Sequence, residues 1–85
     1  MNKPKNTMKV SFPSRGANEG LARMLVAAFI TEADPTVEEL CDIKTAVSEA
    51  VTNCIVHAYP DRIGEIYIAA SLSESNLVTI KVRDH

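Results

Sequence analysis

Glycine, cysteine and long apolar runs are scarce in this 85-residue chain, and each scarcity closes off a class of function. The glycines are Gly16, Gly20 and Gly64, so no glycine-rich loop can present a row of backbone amides to a phosphate chain. The longest apolar run, Met24 to Ile30, has seven residues, far short of the ~20 that a helix needs to cross a hydrocarbon core. The cysteines are Cys41 and Cys54, both inside one helical pattern. Their thirteen-residue separation corresponds to about 20 Å at ~1.5 Å per residue, whereas a disulfide needs Cα atoms within roughly 7 Å. Neither has a second ligand at a short zinc-type spacing, so a cysteine-held metal is not expected. Charge is also close to balanced. Nine basic and eleven acidic residues give a net −2, which calls for neither nucleic acid nor an anionic membrane as partner. Lys3, Lys5 and Lys9 give the N-terminus a local basic bias that reads as a solvated end, and residues 1–7 are expected to be flexible. No apolar signal segment follows them, and with two unpaired thiols the chain is expected in a reducing cytoplasm.

What is present suits one small domain, with 46% apolar residues and a thin stability margin. Met8, Val10 and Phe12 alternate with Lys9 and Ser11, the period of a half-buried strand. Pro13 to Asn18 breaks that pattern, with Asn18 expected to cap the following helix and Glu19 to favour its positive end. Leu21, Met24, Leu25, Ala28 and Phe29 form the expected apolar stripe of this helix. It should end near Ala33, because Asp34 precedes Pro35 and residues before proline avoid helical angles. Thr36-Val37-Glu38-Glu39 then matches a capping box. From Val37 the helical pattern runs to about Ala58 and stops at Tyr59-Pro60-Asp61. Ile66, Ile68, Ala70 and Leu72 alternate with Tyr67, Ala69 and Ser71, and the alternation resumes at Val78, Ile80 and Val82 after a polar turn. The order strand, helix, helix, strand, strand predicts an α+β domain, a two-layer sandwich with helices on one face of a mixed or antiparallel sheet. The third strand finishes just before His85. A domain built this way is expected to be short of strands, with helices partly uncovered, and so marginal or aggregation-prone by itself.

The longer helix carries the candidate chemistry. Leu40, Ile43, Val47, Ala50, Val51 and Cys54 recur at spacings of three and four, which lays one face on a core. Glu49, Asn53 and His57 fall four apart. At about 100° per residue each step returns to within roughly 40° of the last, so a carboxylate, an amide and an imidazole share a second face. By itself such a row is more often solvated than functional, and a histidine near a helix C-terminus often just suits the dipole.

Longer runs carry a family resemblance. Glu49-Ala50-Val51-Thr52-Asn53 with His57 resembles the N-box of the GHKL (Bergerat-fold) ATPases, and Val82-Arg83-Asp84 resembles the run into their next nucleotide motif. Asp34-Pro35-Thr36, Glu38-Glu39-Leu40, Ile43-Lys44-Thr45 and Val47 to Asn53, in this order and spacing, are similar to the anti-sigma-F family of spore-forming bacteria. These are small ATP-dependent serine kinases that hold a sporulation sigma factor inactive and phosphorylate a serine of its anti-anti-sigma antagonist. The resemblance covers Met8 to Asp84 and implies a histidine-kinase-like ATPase fold. It further implies ATP and Mg²⁺ as cofactors, Asn53 as the metal ligand and Glu49 as the general base. Asp84 would be the adenine contact, His57 a pocket residue and Arg23 a contact to the protein partners, in a homodimer. The family's glycines after Asp84, its lid and its later glycine-rich motif are missing. Residues 8–85 are therefore expected to be the N-terminal part of one such domain, truncated at the start of the second nucleotide motif and inactive alone. Two alternatives stay open, a non-catalytic partner-binding and dimerisation module and a related stress-response anti-sigma kinase.

Overall fold

The computed structural model describes residues 3–84. Met1, Asn2 and His85, which fall in the expected flexible terminus and at the expected domain end, lie outside the described residues. The chain runs β1 (Pro4–Pro13), α1 (Ala17–Ile30), a 3-10 turn (Thr31–Ala33), α2 (Val37–Asn53), a π turn (Cys54–Ala58), β2 (Glu65–Ser73) and β3 (Val78–Arg83). The three strands form one antiparallel sheet in the order β1-β2-β3. Both helices lie on the same side of it, as expected for the α+β sandwich.

Register explains which face is dry. Val10 pairs with Ile68 and Ile68 with Val82, while Met8 pairs with Ala70 and Ala70 with Ile80, so apolar side chains from all strands align on one side. In the central strand β2, Ile66, Ile68, Ala70 and Leu72 are all buried. On the edge strand β3, Val78, Ile80 and Val82 are only half-buried. They face Ile43, Ala46, Val47 and Ala50 of α2 across an apolar groove of about 380 Å³. β1 begins at Pro4, earlier than the expected start at Met8, although its first four residues are exposed.

Helix α2 starts where its capping box places it. The Thr36 hydroxyl accepts from the Glu39 N–H at 3.0 Å, and the Glu39 carboxylate accepts from the Thr36 N–H at 2.8 Å. Both bonds satisfy donors that the first turn would otherwise leave free. The Thr36 backbone N–H first, and the Thr36 side chain second, favour the charged carboxylate and hold the Glu39 pKa below its ordinary value. Asp34 adopts φ 54°, a left-handed angle that aspartate tolerates better than most residues. The segment before Pro35 thus leaves the helical path, as the proline requires.

Two expectations for α1 need correction. Asn18 does not cap it. The capping position is Gly16, and Asn18 lies in the first turn, where its side-chain amide donates to the Pro13 carbonyl at 2.8 Å. The apolar stripe is also misplaced. The fully buried row is Ala22, Val26 and Ile30, whereas Leu21 and Met24 are 42% and 72% exposed. From Leu21 to Ile30 the sequence is apolar almost all round except at Arg23, so periodicity cannot choose a face. Ala22 decides it, because a small side chain lets the helix approach the layer beneath.

Candidate functional site

Helix α2 buries Val47 and Val51, with Cys54 following them into the core, and this turns Glu49 and Asn53 outward. Both are exposed, as is His57. A carboxylate and an amide one turn apart are thus open to solvent on one helix side, about 6 Å apart along the axis at ~1.5 Å per residue. His57 departs from that simple row. It lies within Cys54–Ala58, where the winding is wider than α-helical and the Tyr59 N–H bonds to the Cys54 carbonyl, five residues back, at 3.1 Å. The extent of the helical pattern, to Ala58, is as expected, but its last turn is not α-helical.

Asp84 follows the last residue of β3, the strand whose Val78, Ile80 and Val82 line the groove to α2. The thiol of Cys54, next to Asn53, registers its presence. Burial pushes the Cys54 pKa up, and the negative charge of Asp84 raises it further. The charge of Asp84 thus reaches the thiol of Cys54, thirty residues earlier in the chain.

Arg23 lies elsewhere, on α1, but it is not isolated from the row. A groove of about 460 Å³ between the helices is lined by Arg23, Cys41, Lys44, Thr45, Ser48 and Glu49. Glu19 links two of these residues. The Glu19 carboxylate pairs with Arg23 at 3.0 Å and accepts from the Ser48 hydroxyl at 3.1 Å. The sequence placed Glu19 only at the start of its helix and gave Lys44 and Ser48 no part in a groove. The Glu19–Arg23 spacing of four was a visible signal, whereas the link to Ser48 exists only because α1 packs on α2.

Glu49, Asn53 and Asp84 offer a proton acceptor, a neutral oxygen donor and a hydrogen-bond acceptor near one helix end. Among the described residues no group of three or more His, Cys, Asp or Glu side chains could hold a metal ion. A cation at Asn53 would need its other oxygens from a ligand, as Mg²⁺ does when it is shared with nucleotide phosphates. The amide oxygen of Asn53 thus suits the cation of a magnesium nucleotide, while the described residues contain no glycine-rich cradle for the phosphates.

The sheet-and-helix sandwich with this exposed row defines a class. Residues 12–85 match the family model described as the histidine kinase-like ATPase domain, and the chain belongs to that family. Among characterised proteins it is similar to the anti-sigma F factor of Thermoanaerobacter sp. (strain X514), 56% identical over 79 residues, which cover 93% of this chain and 54% of that protein. The anti-sigma F factor of Clostridium perfringens (strain SM101 / Type A) is 51% identical over 81 residues, 94% of this chain and 57% of the relative. That of Priestia megaterium is 48% identical over 81 residues, 94% and 55% of the two chains. The chain spans about half the length of the curated relatives it matches. Among the described residues no helix is long and apolar enough to cross a membrane.

Proposed function

We propose that residues 8–85 form the N-terminal part of an ATP-dependent anti-sigma kinase domain, acting in the cytoplasm as a homodimer. Its protein partners are a sporulation sigma factor, which it holds inactive, and an anti-anti-sigma protein, which it phosphorylates on serine. It needs neither direct nucleic-acid contact nor a membrane. The observation that carries this reading is the exposed Glu49–Asn53 row on α2, within a histidine kinase-like ATPase fold. The names of the similar proteins support the choice of partners.

ATP bound with Mg²⁺ would supply the γ-phosphoryl group to the oxygen of the acceptor serine, with ADP as the leaving group. The chain's own residues position and polarise, which is most of what phosphoryl transfer asks of a protein. Asn53 offers its amide oxygen to the cation. Glu49, one turn earlier, takes the proton from the serine hydroxyl. Asp84 accepts a hydrogen bond from the adenine amino group and so prefers adenine to guanine. His57 lines the pocket. Arg23, on the rim of the groove that Glu49 also lines, meets the protein partners.

The test uses a chain that carries this sequence and continues over the remaining length of its relatives. Glu49→Ala should abolish serine phosphorylation while sparing nucleotide binding, and Asn53→Ala should weaken Mg²⁺-ATP binding itself. Phosphorylation at the wild-type rate by the Glu49 variant would remove Glu49 from the role of base. A non-catalytic binding and dimerisation module is the second reading. Sigma-factor capture that is indifferent to ATP would select that reading.

A further inference from the structure

The wide last turn of the long helix ends on a residue that the following segments hold in place. Tyr59, the residue whose N–H closes the i→i+5 bond, is buried with its ring lying across Gly64. A Cβ at position 64 would stand 2.0 to 2.3 Å from three atoms of that ring, so only glycine leaves room for it. Gly64 adopts no positive φ, and its role here is space. The Tyr59 hydroxyl donates to the Glu65 carbonyl at 3.0 Å, and the Arg62 guanidinium sits 5.5 Å from the ring centroid. Gly64 is fixed in turn by Ser14, a buried polar residue between β1 and α1. The Gly64 N–H donates to the Ser14 hydroxyl at 2.8 Å, and the Ser14 N–H donates to the Gly64 carbonyl at 3.0 Å.

These contacts set the depth and direction at which the chain must deliver Tyr59. A regular helix turns about 100° per residue, and the wider winding turns less, so more residues fit in the final turn and their side chains shift in phase. His57 lies inside that turn, whereas Asn53 lies before it. We propose that Tyr59, seated on Gly64, is a positioning residue for the nucleotide site: it holds the final turn in its π winding and so fixes where His57 stands relative to Asn53. This inference rests on the reading of Asn53 and His57 as nucleotide contacts. Wide turns inside helices often coincide with functional sites, and here the turn is maintained by side chains that do not themselves belong to the row.

The experiment uses the same extended chain with Mg²⁺-ATP. Tyr59→Phe keeps the ring and should bind nucleotide like the wild type. Gly64→Ala displaces the ring, and Tyr59→Leu removes it while leaving Gly64 intact. Each should weaken binding about tenfold, the lower range for losing a group that orients a ligand, in calorimetry well below the melting temperature. Each should also change the NMR shifts of the His57 imidazole relative to those of the Asn53 amide. A purely structural role predicts a lower melting temperature with affinity and His57 shifts unchanged, and that result overturns the proposal. Using both variants guards against one failing to fold. Should Asn53→Ala and His57→Ala both bind nucleotide like the wild type, the site reading itself fails. The His57 shifts in the Gly64 and Tyr59 variants then decide the positioning role alone: displaced shifts uphold it and unmoved shifts overturn it.

Discussion

Cys54 occupies the junction between core and candidate site, and its thiol reports on both. Burial is the larger cause of its raised pKa and the Asp84 carboxylate the smaller. Because the folded value lies above the unfolded one, the stabilisation linked to this thiol is present below the ordinary thiol range and is lost as pH rises through the raised value. Replacing Asp84 by Asn removes the nearby negative charge. In a Cys41→Ser background, which removes the exposed thiol, Asp84→Asn should shift the pH profile of Cys54 alkylation to lower pH. An unmoved profile would mean that Asp84 does not sit against the end of the helix. The same substitution is expected to weaken adenine binding in an extended chain. At this scale the sequence was informative where the spacing was local. Glu49 and Asn53 could be read from one helix, while the approach of Asp84 to Cys54 required the hairpin to fold back.

Helix α2 is specified at its start and modified at its end. Thr36→Ala removes one half of the capping box and should cost about 1 kcal/mol in urea unfolding, whereas Thr36→Ser should be close to neutral. Glu39 makes the other half pH-dependent. Its folded pKa is lowered chiefly by the bond from the Thr36 backbone and then by the Thr36 side chain. Its contribution is therefore present above the ordinary carboxylate range and lost as pH falls through the lowered value. Acid titration of α2 stability should show this loss in the wild type, and Glu39→Gln should flatten it. The stop was less legible. Tyr59-Pro60 announced an end to the helix, but the change of winding from Cys54 onward reflects the fit of Tyr59 over Gly64, a contact across an intervening loop. Helix α1 gives the opposite lesson. Its length was readable, yet a nearly continuous apolar run left its buried face to be chosen by packing.

The whole molecule is a sandwich covered unevenly. β2 is sealed between its neighbours, while β3 leaves one edge unpaired among the described strands, with half-buried side chains along the groove to α2. Such an edge invites pairing and association, so the 85-residue chain should self-associate as its concentration rises, measurable by analytical ultracentrifugation. It carries the base-side and metal-side groups of the proposed nucleotide site without a glycine-rich phosphate cradle among the described residues. Calorimetry of this chain with ATP and Mg²⁺ should accordingly show no micromolar binding. Binding at that strength would mean that Asn53, Asp84 and their neighbours hold the nucleotide without help.

Sequence alone determined the elements whose signals are local: the alternation of β2 and β3, the capping box at Thr36 and Glu39, and the four-residue spacing of Glu49 and Asn53. These depend on backbone geometry and on neighbours within one or two turns, so they are written in short windows. Tertiary structure decided the buried face of α1, the π turn under Tyr59, the Glu19–Ser48 link and the influence of Asp84 on Cys54. Each of those is settled by which distant surfaces fit together, and close packing leaves such fits no freedom once the core has formed.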